Sequence, residues 1–394
     1  MKNILIITYT LTAGGAEKLA ANLSLELSKY ANVYVVTYEK RENEYSIAGT
    51  RINLNLRGRT FLDRVLCSMK RIKVVRKIKK KYNIDYSISF VPPTDYVNIL
   101  SKRKGEKVLI DVVSNMSVVY PGGLKKAWRK YILKKADYVV TVSEGVRKDL
   151  IDNFGIEKEK SKTIYNSCDI KNIEEECLKD DIFIKHQSVL PTEYICTMGS
   201  FRHPKGHWHL IKAFSTIANE IPNISLVILG DGEYREKYLE LINILGLQER
   251  VVMPGFINPP FSVIAHSRLF VFSSVFEGFG HSVIEAMACN VPVLSTDCKY
   301  GPREMLAPGT DLGVEIDKCE IAEYGVLLPA FDCAEMIDVS EKISDKEKIM
   351  GQAMLEMLRN KEMCEDYAAK GLTYSKKFDN ALYCQQWINV MDGM

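Results

Sequence analysis

Short apolar runs that end in turn residues alternate with stretches of helical periodicity, and they do so twice along this chain. NILIITY, beginning at Asn3, is the first such run. A run so short and so uniformly apolar suits a strand buried on both faces. The next segment, AEKLAANLSLELSKY, places Ala16, Leu19, Ala20, Leu23 and Leu27 on one helical face. VYVVTY, DYSISFV, KVLIDVV and ADYVVTVS follow as strands, most of them separated by helical patterns. Alternation of this kind predicts a parallel sheet with helices on both faces.

From about Asn166 to Glu193 the pattern breaks into an acidic stretch with little sustained periodicity, the expected passage between two domains. Alternation then restarts. EYICTMGS, ISLVILG, VVMPGF, RLFVFSS and VPVLST read as strands, and Leu210, Ile211, Phe214, Ile217, Ala218 and Ile221 fall at helical spacing. From about Ser344 the chain reads as helical and closes on FDNALYCQQWINVM. The expected fold class is therefore α/β, with two Rossmann-like, doubly wound parallel-sheet domains. The expected bounds are 1–170, 171–375, and a terminal helix, 376–394, that crosses back to the first domain. Two such domains place a ligand in the cleft between them, outside the carboxyl ends of the strands.

Composition narrows the class. With 46% hydrophobic and 26% charged residues, a sizeable core is expected rather than disorder. The ten cysteines form no Cys-x-x-Cys pair and show no zinc spacing, which suits a reduced, cytoplasmic protein. MKNILIITYT runs into TAGGAEK with no long apolar region, so no signal peptide is expected. Nor does any run approach the roughly 18–20 apolar residues of a membrane span.

The net charge of +3 is unevenly spread. Arg64, Lys70, Arg71, Lys73, Arg76, Lys77, Lys79, Lys80 and Lys81 occupy one stretch without an acid, and Lys125, Lys126, Arg129, Lys130, Lys134 and Lys135 form another. Both lie in the first half and point to an anionic partner there. Aromatic interleaving is absent from residues 64–81, which counts against nucleic acid. A solvated helix face is one reading. The other is an anionic membrane surface, with Val65, Met69, Ile72, Val75 and Ile78 as one apolar side.

The most informative segment is FEGFGHSVIEAM. A strand, RLFVFSS, leads into the glycine loop FEGFG, and the loop opens a helix. The free N–H groups and positive dipole end of a helix start suit a phosphate. Glu277 and Glu285 flank that cradle as acceptors for paired sugar hydroxyls. A bland reading stands beside it, because Ser282-x-x-Glu285 also has the form of a capping box in a first helical turn. Glu277, Gly278 and Gly280 are not needed for a cap.

Six stretches, in order, resemble family 4 of the retaining glycosyltransferases, which have the GT-B fold. They are GGAEKLAANLSLEL, ADYVVTVSEGVRKDL, TIYNSCDI, MGSFRHPKGHWHLIKAF, LVILGDGEYREKYLELINILGLQERVVMPGF and FEGFGHSVIEAMACNVPVL. The resemblance implies that Glu285 holds the ribose hydroxyls of a UDP-sugar and Glu277 those of its sugar. Phe279, Gly280, His281 and Ser282 would meet sugar and phosphates. Lys205 would neutralise the leaving diphosphate, and Gly14 and Gly15 would let backbone approach it. Gly230 and Gly232 would lie on the nucleobase side, although a tight strand-to-helix turn accounts for them as well. No Asp-x-Asp occurs, so no metal and no other cofactor is expected, and Lys205 with Arg202 would supply the positive charge.

Two departures stand out. Ser200 occupies the position where the family usually has Arg, and Arg202 is the candidate substitute. The stretch LIDVVSNMSVVYP lacks the family's His, leaving Asn115 or Ser114 as the nearest polar groups. Elsewhere, His203, His207 and His209 read as capping and packing residues, with a metal site the weaker alternative. Tyr300 to Leu306 resembles the corresponding stretch in enzymes that use UDP-hexoses or UDP-N-acetylhexosamines. There Glu304 either approaches the cleft or forms a surface pair with Arg303.

The function implied is transfer of a hexose or N-acetylhexosamine from a UDP-sugar, with retention, to a glycan hydroxyl. The expected acceptor is free or polyprenyl-diphosphate-linked and serves a bacterial capsule, exopolysaccharide or similar polymer. The enzyme would lie at the inner face of the cell membrane, held through residues 64–81. The alternatives are a non-catalytic nucleotide-sugar-binding partner subunit and a GT-B sugar-nucleotide epimerase. An NAD-dependent oxidoreductase is disfavoured because no G-x-G-x-x-G fingerprint occurs.

Overall fold

Fourteen strands form two seven-stranded sheets among the described residues, which are 1–394 except Ala13, Arg59, Asp180, Cys333, Glu335 and the side chains of Phe61 and Leu62, in a computed structural model. The chain divides into two units, Met1–Ser167 with Asn380–Met394, and Cys168–Asp379.

In the first unit the strands are β1 (Asn3–Thr8), β2 (Asn32–Thr37), β3 (Thr50–Asn53), β4 (Tyr86–Ser89), β5 (Lys107–Val112), β6 (Tyr138–Thr141) and β7 (Ser161–Thr163). Their spatial order is β3-β2-β1-β4-β5-β6-β7, and every pairing is parallel. The helices are α1 (Gly15–Leu27), α2 (Phe61–Lys81), α3 (Pro92–Leu100), α4 (Met116–Val119), α5 (Gly123–Lys135) and α6 (Glu144–Phe154). Ile4 to Ile7 are at most 2% exposed, as a strand covered on both faces requires.

The second unit begins with α7 (Ile170–Cys177) and α8 (Asp181–His186). Both fall where the sequence shows little periodicity. Asp169 starts α7 by accepting the Asn172 N–H at 3.1 Å, and Ile170 and Ile173 are the buried residues of this short helix. Strands β8 (Tyr194–Met198), β9 (Ser225–Leu229), β10 (Val251–Gly255), β11 (Leu269–Phe272), β12 (Val293–Thr296), β13 (Glu320–Ile321) and β14 (Val326–Leu328) follow. Their order is β10-β9-β8-β11-β12-β14-β13, with only β13 antiparallel among the described pairings. The accompanying helices are α9 (His207–Ile217), α10 (Arg235–Ile244), α11 (Phe261–Ala265), α12 (His281–Ala288), α13 (Pro302–Leu306), α14 (Asp345–Arg359) and α15 (Lys361–Ser375). The last helix, α16 (Asn380–Asp392), belongs to the first unit, where Tyr383, Cys384 and Trp387 join the core with Leu19, Leu23 and Leu27 of α1.

Each sheet reverses direction once. The chain winds outward from β1 to β3 and restarts on the other side of β1 with β4. It winds from β8 to β10 and restarts beside β8 with β11. The loops leaving two neighbouring strands at such a point diverge, and the crevice between them is where open α/β sheets bind ligands.

Helix α2 corrects the expected apolar side. Val75 and Ile78 are buried in the first unit's core, while Val65, Leu66 and Met69 are exposed. Two of its basic residues are buried as well. Lys79 is fully buried and meets Glu106 at 2.6 Å, with Asn98 Oδ1 at 2.7 Å and the Asn98 carbonyl at 3.0 Å. Burial pulls its pKa down to about 8, against the opposing pull of Glu106. Helix α5 likewise buries Arg129 against Asp95 at 2.6 Å. Part of the basic runs therefore serves the interior. No helix among the described residues is long and apolar enough to cross a membrane.

Removing one partner of a buried pair strands the other charge, whereas replacing both with apolar groups does not. Glu106→Gln should cost about 3 kcal/mol in urea unfolding. The double variant Lys79→Met/Glu106→Leu should recover most of that loss. A double variant as unstable as the single one would contradict this account.

Candidate functional site

The second sheet's reversal lies between β8 and β11, and the two loops leaving these strands carry the candidate charges. After β8 the chain runs through Gly199–Arg202 into a 3-10 turn, His203–Lys205, closed by Gly206. Gly206 has φ of +58°, and a Cβ there would lie 2.2 Å from the Ser273 carbonyl oxygen. This close approach locks the first loop onto the second. The Ser273 hydroxyl donates to the Lys205 carbonyl at 2.9 Å, and the Val275 N–H donates to the Pro204 carbonyl at 2.9 Å.

The consequence is a direct ion pair. Lys205 Nζ lies 2.5 Å from Glu277 Oε1, bringing together residues 72 positions apart. Ser274 donates to the same oxygen at 3.0 Å. The Glu277 backbone is held on both sides, its N–H by the Lys299 carbonyl at 2.8 Å and its carbonyl by the Tyr300 N–H at 3.0 Å. Sequence reasoning singled out both side chains but not their contact, and it missed Ser274 and Gly206.

Three residues beyond Glu277, Gly280 takes the N-cap position of α12 with φ of +97°. No side chain caps this helix. Ser282 is the second helical residue, so Ser282 and Glu285 do not form the capping box that their spacing suggested. Glu285 stands in the second turn rather than the first. Both side chains are buried, at 7% and 8% exposure. His281 places Nδ1 3.8 Å from Cys168 Sγ, and the Phe279 ring is buried, 6.0 Å from that of Phe378.

The other candidates are distributed as follows. Ser200 and Arg202 are both exposed on the loop after β8. Gly230 has φ of +134°, and a Cβ there would meet the Gly199 carbonyl oxygen at 2.0 Å, so the turn after β9 needs glycine to pass the turn after β8. Gly232 packs in the same way on Phe201. Gly14 and Gly15 belong to the first unit, where Gly14 precedes α1 in ordinary extended backbone, and the adjacent Ala13 is outside the described residues. Asn115 spends its side-chain oxygen on the Val118 N–H at 3.2 Å, as the cap of α4.

Arg303 and Glu304 are buried, not a surface pair. Arg303 holds Asp297 at 2.5 Å and Glu320 at 2.8 Å. The histidines pack. His209 Nδ1 lies 2.8 Å from Glu347, and its ring stacks on Phe331 at 3.6 Å. His207 is sealed among Phe201 and Tyr238, and burial, with Lys205 nearby, pulls its pKa down to about 3.

Known proteins give this geometry its context. The family description "Glycosyltransferase Family 4" matches residues 13–172, and "Glycosyl transferases group 1" matches residues 179–324. A glycosyltransferase of Methanocaldococcus jannaschii is 31% identical over 334 residues, 82% of each chain. The Campylobacter jejuni N-acetylgalactosamine-N,N'-diacetylbacillosaminyl-diphospho-undecaprenol 4-alpha-N-acetylgalactosaminyltransferase is 29% identical, with both chains covered in full. Among solved structures, Anabaena HepE in complex with UDP and glucose superposes with a TM-score of 0.75 at 17% identity, over the whole of both chains.

The site's buried imidazole predicts an acid-sensitive fold. His207 stays neutral in the native state down to about pH 3, whereas in the unfolded chain it takes a proton below its ordinary 6.5. The unfolded state thus binds more protons, and stability falls as pH drops through that window. Between pH 7 and pH 5 the loss from this group is about 2 kcal/mol. His207→Phe should flatten the loss by that amount in urea unfolding at the two pH values; an unchanged slope would remove His207 as its source.

Proposed function

Because the chain belongs to family 4 of the glycosyltransferases, we propose that it transfers a hexose or N-acetylhexosamine from a UDP-sugar to a glycan hydroxyl, with retention at the anomeric carbon. The observation that carries the reading is the convergence of Lys205 and Glu277 at the second sheet's reversal, just ahead of an α12 start that no side chain caps.

In this reaction the anomeric C–O bond to the diphosphate breaks and one to the acceptor oxygen forms, while the proton of the acceptor hydroxyl passes to an oxygen of the departing diphosphate. Negative charge grows on the leaving phosphate, and fixed positive groups aimed there are usually the largest catalytic contribution. Lys205 supplies an ammonium and the start of α12 supplies N–H groups, so the reading needs no metal. Glu277 accepts hydroxyls of the transferred sugar, and Glu285, one turn into the helix, those of the ribose. Gly230 and Gly232 shape the wall on the nucleobase side, and Arg202 is free of the core to reach a phosphate. The UDP and glucose bound by the HepE neighbour support a UDP-sugar donor.

The Campylobacter relative's undecaprenol-linked acceptor supports a polyprenyl-diphosphate-linked glycan here, in assembly of a capsule or similar surface polymer. Such an acceptor calls for a cytoplasmic enzyme held at the inner face of the membrane. Helix α2 offers the surface for it. Val65, Leu66 and Met69 are exposed beside Arg64, Lys70 and Lys73, an apolar stripe edged by cations.

Lys205→Ala should lower kcat by roughly 10²–10³-fold. Glu285→Ala should raise the donor KM by about tenfold or more, the loss of a charged hydrogen bond. If both variants fold and transfer at the wild-type rate, the site assignment fails. In liposome flotation the chain should bind vesicles rich in anionic lipid and lose that binding with Leu66→Glu/Met69→Glu. Equal recovery on neutral vesicles would exclude the electrostatic part of the membrane reading.

A further inference from the structure

The first unit holds a cavity of about 740 Å³ in which four guanidinium groups face one carboxylate. It opens at the carboxyl ends of the first sheet's strands. Tyr9 follows β1, Glu39 and Arg41 follow β2, and Arg57 follows β3; α2 adds Arg64 and Arg71. The location is that of a ligand crevice in an open α/β sheet.

The lone acid is already engaged. Glu39 meets Arg41 at 3.1 Å, the Tyr9 hydroxyl at 3.1 Å and Arg57 at 3.6 Å. Burial pushes its carboxyl up, but these partners outweigh that and hold it below the usual range, so it remains ionised. One carboxylate against four arginines leaves three positive charges in excess on the pocket wall.

Arg71 is the built element. It is 93% buried, since only 7% of it is exposed, and its guanidinium lies 4.2 Å from the Tyr38 ring centroid and 5.5 Å from that of Tyr9. One nitrogen donates to the Leu56 carbonyl, but Nε, fully buried, has no acceptor among the described residues. A buried donor left without an acceptor costs free energy, and the guanidinium that carries it lines the cavity. The same cavity is lined by the aromatic rings of Tyr96 and Trp128, 6.1 Å apart between centroids.

We propose that this pocket binds the phosphoryl group carried by the acceptor, with Arg57, Arg64 and Arg71 on its oxygens and the aromatic wall against the group it is attached to. Arginine forks match phosphate oxygens in pairs, and an excess of three positive charges suits a group of two to three negative charges. The proposal rests on the glycosyl-transfer reading, because it assigns the first unit to the acceptor and leaves the donor to the second.

The test uses the full chain saturated with UDP, so that the second unit's site is filled. Inorganic pyrophosphate is titrated calorimetrically into the wild type, Arg57→Gln and Arg64→Gln; both substituted residues are exposed, so folding is retained. Wild type should bind, and each variant should bind at least tenfold more weakly. In transfer assays each variant should raise KM for a glycan phosphate at least tenfold more than for the neutral glycoside of the same glycan. A short prenyl diphosphate and a sugar 1-phosphate distinguish the sources: tighter binding of the first assigns the aromatic wall to the lipid, of the second to the saccharide. Equal pyrophosphate affinity in all three proteins, or equal KM increases for charged and neutral acceptors, overturns the proposal. Failure of UDP itself to bind would instead strike the donor reading, and the pyrophosphate titration would still decide the pocket.

Discussion

A strand that runs parallel to its neighbour can be reached only by crossing over a face of the sheet. This constraint governs both units. The crossovers clothe both faces in helices, which is why the strands are buried on both sides and read as plain apolar runs. It also leaves the carboxyl edge as the place where polar chemistry gathers. Where the winding reverses, two loops leave neighbouring strands in opposite directions and no helix fills the gap. Lys205 and Glu277 occupy those two loops in the second sheet, and the arginine pocket takes up the corresponding edge of the first.

Much of this was legible because its signals are local. Strand runs such as NILIIT and the stripe of Leu19, Leu23 and Leu27 need only their neighbours in sequence to be recognised. The failures have a common cause in partners far along the chain. Periodicity shows that α2 has an apolar stripe, but not which stripe faces inward. That choice is made by Val75 and Ile78 meeting the core and by Lys79 finding Glu106. Helices α7 and α8 escaped notice because eight and six residues supply too few turns for a period to emerge from an acidic composition.

The candidate site shows the same division. Glu277 and Lys205 were visible as residue types in recognisable settings, yet their contact across 72 positions depends on Gly206 slipping under the Ser273 carbonyl. Ser282 and Glu285 had the spacing of a cap, and the spacing misled because a left-handed glycine already occupies the cap position. With capping set aside, Ser282 and Glu285 stand as two buried polar side chains in the first two turns of α12.

The pairing of Lys205 with Glu277 has a bearing on selectivity. In the resting protein the cation is already neutralised, so a small anion arriving alone must compete with an internal rival 2.5 Å away and gives Glu277 nothing in return. A sugar diphosphate brings both halves of the exchange, phosphate oxygens for the ammonium and hydroxyls for the carboxylate. An ion pair of this kind weighs a ligand by what it offers both partners: an anion that takes the ammonium alone strands the carboxylate, and a ligand that also brings a donor for the carboxylate does not.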